Sequence, residues 1–93
     1  MNRKRLKWRK QALADLQAFH DWLATLESAK PTQIVQRIRF AAESLSRLGD
    51  IGRPGAVAGL RELSVQNAPY VIVYRCDNDV IEIVAVYHTA QDR

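Results

Sequence analysis

Hydrophobic and polar positions change period twice along this chain. Leu6 and Trp8 alternate with basic neighbours, the two-residue period of a short half-buried strand. From about Lys10 to Glu27 the apolar positions are Ala12, Leu13, Leu16, Phe19, Leu23 and Leu26. Their spacings of three and four trace one face of an amphipathic helix, with Asp15, Gln17, Asp21 and Glu27 off the stripe. Ser28-Ala29-Lys30-Pro31 breaks the pattern, and Pro31 is suited to the first turn of a second helix. That helix is predicted from the stripe Ile34, Ile38, Ala41, Leu45 and Leu48, with Gly49 as its terminator. The short connection folds the two helices into an antiparallel hairpin.

After the loop-rich stretch from Gly49 to Gly55 the period becomes two. Leu60 to Gln66, Tyr70 to Cys76 and Val80 to Tyr87 read as strands rich in Val, Ile and Tyr. Asn67-Ala68-Pro69 joins the first pair and Asp77-Asn78-Asp79 the second, the latter because Asn and Asp tolerate left-handed backbone angles. The expected class is α+β: an N-terminal strand, an antiparallel two-helix hairpin, then a three-stranded antiparallel sheet under the helices.

Composition narrows the picture. Ninety-three residues, 47% hydrophobic and 26% charged, are expected to form one globular domain over 1–93, of modest stability because so short a chain buries little surface. The lone Cys76 excludes a disulfide framework and fits a reducing compartment, so a cytoplasmic location is expected. Neither a membrane-spanning run nor a signal-peptide core is present, since the basic N-terminus passes straight into Leu6-Lys7-Trp8-Arg9-Lys10. The net charge of +4 permits an anionic partner without requiring one. Six of the fourteen basic residues (Arg3, Lys4, Arg5, Lys7, Arg9 and Lys10) fall in the first ten positions. They read either as a solvated edge that discourages strand pairing or as a contact for phosphates or an acidic protein.

Candidate chemistry is sparse. Metal-ligand spacing, a phosphate-binding glycine loop and a nucleophile elbow are all absent from the sequence, and no cofactor is expected. Gly52-Arg53-Pro54-Gly55 lacks the Lys-Ser/Thr of a phosphate loop and serves to reverse the chain. His20, within the first helix one position after Phe19, reads as a residue at the border of its apolar face and not as a metal ligand. His88 after the last strand is either a general acid or base or a strand-end cap bonded near Asp92. Arg61 and Arg75 are suited to phosphate, although Arg61 shares its parity with Leu63 and Val65 and so is placed to pair with a carboxylate inside.

Taken in order, Trp8-x3-Ala12-x2-Asp15-Leu16, Gly52-Arg53-Pro54-Gly55, Gly59-Leu60-Arg61-Glu62-Leu63, Pro69-Tyr70-Val71-Ile72-Val73-Tyr74-Arg75 and Tyr87-His88-Thr89-Ala90-Gln91-Asp92 form a recognisable set. It resembles the RelE/ParE superfamily of type II toxin–antitoxin toxins, and within it the ParE-like branch, from about Leu6 to Arg93. The resemblance implies a toxin of the plasmid-stabilisation type, neutralised by a cognate antitoxin of ribbon–helix–helix type, with operator DNA bound only through the antitoxin complex and no membrane partner. Relatives often carry Thr or Ser directly after the Trp; here Arg9 and Lys10 stand there, which forfeits a helix cap worth ~1 kcal/mol.

The superfamily implies two activities. RelE-like members cut mRNA on the ribosome, whereas ParE-like members poison DNA gyrase. RNA cleavage needs a base, an acid and cations around the phosphate. Glu62, Ser64 and Gln66 stand where the ribonucleases carry basic residues, and no Tyr follows Tyr87. Only His88, Arg75 and Arg61 remain as a candidate ribonuclease set, so the gyrase-directed reading is favoured. Antitoxin contact is then expected at Arg5, Lys7, Trp8 and Arg9, and target contact at Arg53, Arg61, Arg75 and His88.

Overall fold

The computed structural model describes residues 3–27 and 29–90; the calls on Ser28, Gln91, Asp92 and Arg93 lie outside them. Strand β1 (Arg5–Trp8) leads into helix α1 (Lys10–Ala24) and helix α2 (Pro31–Leu48). Strands β2 (Arg53–Pro54), β3 (Arg61–Ser64), β4 (Tyr70–Cys76) and β5 (Val80–His88) follow. Pro31 stands in the first turn of α2, and Gly49 closes it at φ +84°, an angle open to a residue without Cβ. The first helix stops at Ala24, short of the predicted Glu27, where the Thr25 N–H and hydroxyl both bond the Trp22 carbonyl.

The sheet has five strands in the order β1-β5-β4-β3-β2 and is mixed, which corrects the expected three-stranded antiparallel sheet. Two short strands widen it. Residues 53 and 54 pair antiparallel with Glu62 and Arg61, inside what the sequence presents as a loop. At the other edge β1 lies parallel to β5, Arg5 opposite Val80 and Trp8 opposite Ile83. The Lys4 N–H bonds the Ser46 carbonyl and the Ser46 hydroxyl bonds back to Lys4, so α2 holds β1 at its start. The left-handed angle expected at Asp77-Asn78-Asp79 falls instead on Asn67 (φ 60°), in the β3–β4 turn.

Alternation sends Tyr70, Ile72 and Tyr74 of β4 and Ile81, Ile83 and Val86 of β5 toward the helices, where they meet Ala12, Leu16, Ile38, Ala42 and Leu45 in one buried cluster. Each large apolar side chain so buried stabilises the fold by roughly 1.5–3 kcal/mol. The predicted helical stripe needs two corrections. Ala42, and not the half-buried Ala41, is fully enclosed, while Leu13, Leu26 and Leu48 are exposed. Leu48 ends α2 at the Gly49 turn and stays exposed there.

A bulge sets the far end of the β4–β5 pair. The register runs Val73 to Ala85 and then Tyr74 to Ile83, leaving Val84 as the extra residue. Because β1 ends opposite Ile83, the outer edge of β5 beyond that point has no strand beside it. Asp15 of α1 fills the gap, its Oδ2 accepting the Val86 N–H at 2.9 Å. A residue that the helical pattern puts off the apolar stripe thus joins α1 to the sheet.

Candidate functional site

The sheet face turned away from the helices carries the polar chemistry. Glu62 and Ser64 of β3, Arg75 of β4 and Glu82 of β5 share it by register, with Lys7 opposite Glu82. Arg53 reaches over from β2, donating to Ser64 Oγ at 2.9 Å and pairing with Glu62 Oε1 at 3.3 Å. The Tyr87 hydroxyl donates to the same Glu62 oxygen at 3.2 Å. This face therefore offers a phenol, a carboxylate and a guanidinium, but Glu62 already balances the charge of Arg53. A cation so matched is a poor clamp for a phosphate, which carries more than one formal charge in a cleavage transition state.

Arg61 lies on the other side. Its Nε stands 2.6 Å from Asp50 Oδ1 and a terminal nitrogen donates to the Gly52 carbonyl at 2.6 Å. The buried Tyr74 completes the arrangement, donating to Asp50 at 2.5 Å and accepting the Gly52 N–H at 2.8 Å. Four residues so tied fasten the 49–52 segment to the sheet. Gly52 is required for the approach: a Cβ there would stand 2.5 Å from the Tyr74 hydroxyl and overlap the Glu62 carbonyl. Hydrogen bonding to Tyr74, against some desolvation, and the Asp50 charge hold the Arg61 proton more tightly than usual. Burial first, then the bond to Asp50, pushes the Tyr74 phenol up. The inward parity of Arg61 anticipated a carboxylate partner, and Asp50 is that partner.

His88 is on the helix side at the opposite end of the ladder. It pairs with Tyr70, with ring centroids 5.1 Å apart edge to face, and Trp22 stands 6.4 Å away. Its Nδ1 accepts the Ala90 N–H at 3.0 Å, which leaves the Nε2 position for the proton of the neutral ring. With Ala18, Phe19, Trp22 and Ala90 it lines an apolar slot of about 460 Å³. Arg75, by contrast, pairs in register with Glu82, at the other end of β4 and on the other face. His88, Arg75 and Arg61, the three residues a ribonuclease reading would need together, are not brought together.

The basic N-terminal segment forms the free edge of the sheet. Arg9 occupies the N-cap of α1 without any side-chain cap bond. Its guanidinium instead reaches Glu82 Oε1 at 3.0 Å, and this bond, opposed by desolvation, holds the Glu82 carboxyl below the usual carboxylate range. The departure from a capping Thr or Ser is thereby exchanged for an ion pair that fixes β1 to β5. Trp8 is half-buried against the core under Arg39, whose guanidinium carbon lies 5.6 Å from the ring centre. Lys4 caps the β4–β5 turn by donating to the Asp77 and Asn78 carbonyls. Arg5 and Lys7 stay exposed along the edge. No group of three His, Cys, Asp or Glu able to hold a metal occurs among the described residues, and none of the described helices is long and apolar enough to cross a membrane.

A strand, a helical hairpin and a sheet that carries the last strand beside the first make up the architecture. The architecture matches the chromosomal ParDE toxin–antitoxin system of P. aeruginosa at a TM-score of 0.82 and 30% identity, over 91% of this chain and 95% of that one. A putative toxin of Sinorhizobium fredii, Y4kP, is 35% identical over 98% of this chain and 94% of its own length. Toxin RelE2 of Caulobacter vibrioides is 37% identical over 90% and 93%. The family of the ParE toxin of type II toxin–antitoxin systems matches residues 6–93, and the chain belongs to it.

Proposed function

We propose that this chain arrests its cell by acting on DNA gyrase without cleaving RNA, and that a cognate antitoxin holds it silent by direct binding. One observation carries the choice of target: Arg61, Arg75 and His88 stand on different faces and ends of the sheet, and the polar set grouped on the face away from the helices, Arg53–Glu62–Tyr87, is internally neutralised. Metal-free RNA cleavage needs an acid, a base and surplus positive charge within reach of one phosphate. The Tyr87–Glu62 pair is the feature that favours the ribonuclease alternative, since a phenol and a carboxylate suit proton transfer. The guanidinium beside it, that of Arg53, is already matched by Glu62, and the further cations on that face, Arg75 and Lys7, stand at the Glu82 end of the sheet.

On this reading the antitoxin meets the β1 edge. Arg5 and Lys7 supply unbalanced charge there, the Trp8–Arg39 pair gives an apolar shoulder, and the open backbone edge suits strand addition by an extended acidic segment. Ribbon–helix–helix chemistry for the rest of that antitoxin, and operator binding through the complex, belong to the same proposal.

The test combines two assays on the purified chain. Inhibition of gyrase supercoiling with accumulation of cleaved DNA is expected, together with no cuts in mRNA on translating ribosomes by primer extension. Codon-position cuts at low toxin concentration would reverse the assignment.

A further inference from the structure

The sheet face turned away from the helices is charged unevenly. At one end Arg53 and Glu62 cancel, while at the other Arg5, Lys7, Arg9 and Arg75 surround a single carboxylate. Lys7 of β1 and Arg75 of β4 stand opposite Glu82 of β5 on either side, and the Arg9 guanidinium lies 3.0 Å from Glu82 Oε1. Arg5 continues the row on β1, two residues before Lys7 and on the same side of the strand. Across three strands the row Lys7–Glu82–Arg75 spans about 10 Å, and Arg5 lies about 7 Å further along β1. Arg5, Lys7 and Arg75 are exposed, and none of them forms an ion pair among the described residues. Asp77 and Asp79, in the turn between β4 and β5, border the patch beyond Arg5 and limit it there.

Edge protection accounts for only part of this. Positive side chains on an outer strand discourage pairing, which covers Arg5 and Lys7. Arg75 is on β4, which lies between β5 and β3 and is not an outer strand. Glu82 does not balance the set, because it is held by the Arg9 bond and, against desolvation, by the charges of Arg9, Arg75 and Lys7 together. The spacing also selects the ligand. A single phosphate needs donors that converge, and here a carboxylate stands between them. An acidic segment laid along β1 would reach Arg5 and Lys7 but not Arg75, two strands further in. Single-stranded nucleic acid is held by stacking on aromatic rings, whereas the neighbours of Arg75 and Glu82 on this side are Val73 and Val80. A stiff polyanion lying across the strands meets all three exposed cations.

We propose that this end of the outer face docks the phosphate backbone of duplex DNA, with Arg5, Lys7 and Arg75 each facing a phosphate; the choice of duplex rests on the gyrase reading above. A toxin that stabilises cleaved DNA on gyrase sits beside that duplex. Duplex DNA carries one charge per about 1.7 Å of its axis, so phosphates are within reach of all three cations. Backbone contacts of this kind position a protein without reading sequence, and operator choice stays with the antitoxin. So few contacts give weak binding on their own, with a Kd of about 10⁻⁴–10⁻⁶ M. Contact of this order becomes effective once gyrase holds toxin and DNA together, because the second encounter is then intramolecular.

The probe is a short labelled duplex of mixed sequence, titrated with the purified chain by fluorescence anisotropy across a salt series. Binding is expected with a slope of log K against log salt of about −2 to −3. Arg75→Gln should weaken it severalfold and bring the slope about 1 closer to zero. Glu82→Gln should tighten it severalfold, since the change frees Arg9 and removes the central negative charge. Arg47→Gln alters the net charge as Arg75→Gln does, but on the exposed side of α2, and should bind like the unaltered chain. Arg75 and Arg47 are both exposed, so folded variants are expected, with circular dichroism as the check. In the gyrase assay Arg75→Gln should raise severalfold the toxin concentration that accumulates cleaved DNA. Absence of binding at low salt, or equal losses in Arg75→Gln and Arg47→Gln, overturns the surface and leaves the gyrase reading to its own assay. Single-stranded RNA that competes better than the duplex at equal phosphate concentration overturns the choice of ligand. The expected pattern on DNA from a chain that leaves gyrase untouched keeps the surface and overturns the gyrase reading.

Discussion

Tyr74→Phe removes one oxygen from the interior and tests whether the 49–52 segment is fastened as described. The hydroxyl donates to Asp50 at 2.5 Å and accepts the Gly52 N–H at 2.8 Å, on a side chain with no exposed surface. Losing a hydrogen bond to a charged acceptor costs about 1.5–3 kcal/mol, and an N–H left without an acceptor adds about 1 kcal/mol. The phenyl ring regains part of this because it no longer buries a hydroxyl, so a net loss of about 2–3 kcal/mol is expected. A chain of this length has about 5–14 kcal/mol in total. The melting temperature should therefore fall by about 10–20 °C. The alkaline limb gives a second readout. The folded-state phenol is raised above the ordinary value of 10.0, so its contribution is complete below that pH and is lost as pH rises through the folded value. Tyr74→Phe should flatten the fall in stability above pH 10.0. Thermal melts monitored by circular dichroism and exchange of the Gly52 amide check both. A variant melting within about 2 °C of the unaltered chain, with the Gly52 amide still protected, would refute the reasoning.

Leu45 is fully enclosed, so Leu45→Ala should cost ~2–5 kcal/mol in a denaturant titration, and an unchanged midpoint would show that this face of α2 is not core. Glu82 has a lowered folded pKa through Arg9, so the ion pair's contribution is present above the ordinary value of 4.5 and lost as pH falls through the folded one. The stability gap between the unaltered chain and Glu82→Gln should accordingly close on acidification from neutral pH, and a gap constant with pH would contradict the pairing. Neutralising Arg5, Lys7 and Arg9 should slow antitoxin association at low salt and flatten its salt dependence. Because Arg9 is already matched by Glu82, Arg5→Gln with Lys7→Gln should reproduce nearly all of that change; an unaltered on-rate would reduce the cluster to a solvated edge.

The limits of α2 and of β4, and nearly those of β5, are legible in the sequence because they depend on local rules, whereas α1 and β3 end earlier than their patterns predict. Pro31 and Gly49 mark their own positions, and alternation marks β4 and β5. What stayed hidden is pairing. A two-residue strand made of Arg53 and Pro54 has no period to detect, and the alternation of Leu6 and Trp8 reports a buried face while saying nothing of the neighbour. Asp15 shows the same limit: its spacing places it off the stripe, and only the end of β1 opposite Ile83 creates the N–H it accepts. At the candidate sites, parity gave Arg61 an inward carboxylate partner but could not say that the partner would come from the loop at Asp50. His88 was legible as a strand-end residue, though its face depended on the bulge at Val84, which shifts the parity of everything after it. Phe40 stands outside the apolar repeat, a large aromatic residue exposed on the polar side of an otherwise regular helix.

Pairing the first strand with the last also sets an order of events during synthesis. Arg5 lies opposite Val80, 75 positions later, so the growing chain cannot place its own beginning until nearly all of it has left the ribosome. The helical hairpin is complete long before, with Ile38, Ala42 and Leu45 still waiting for Ile72, Ile81 and Ile83. Contacts of such long range delay folding, and they leave apolar surface open in the interval. A nascent chain interrupted before β5 therefore lacks the strand that joins β1 to β4. The span from the end of α2 to the end of β5 is the time during which another protein meets the helical hairpin with its apolar face uncovered.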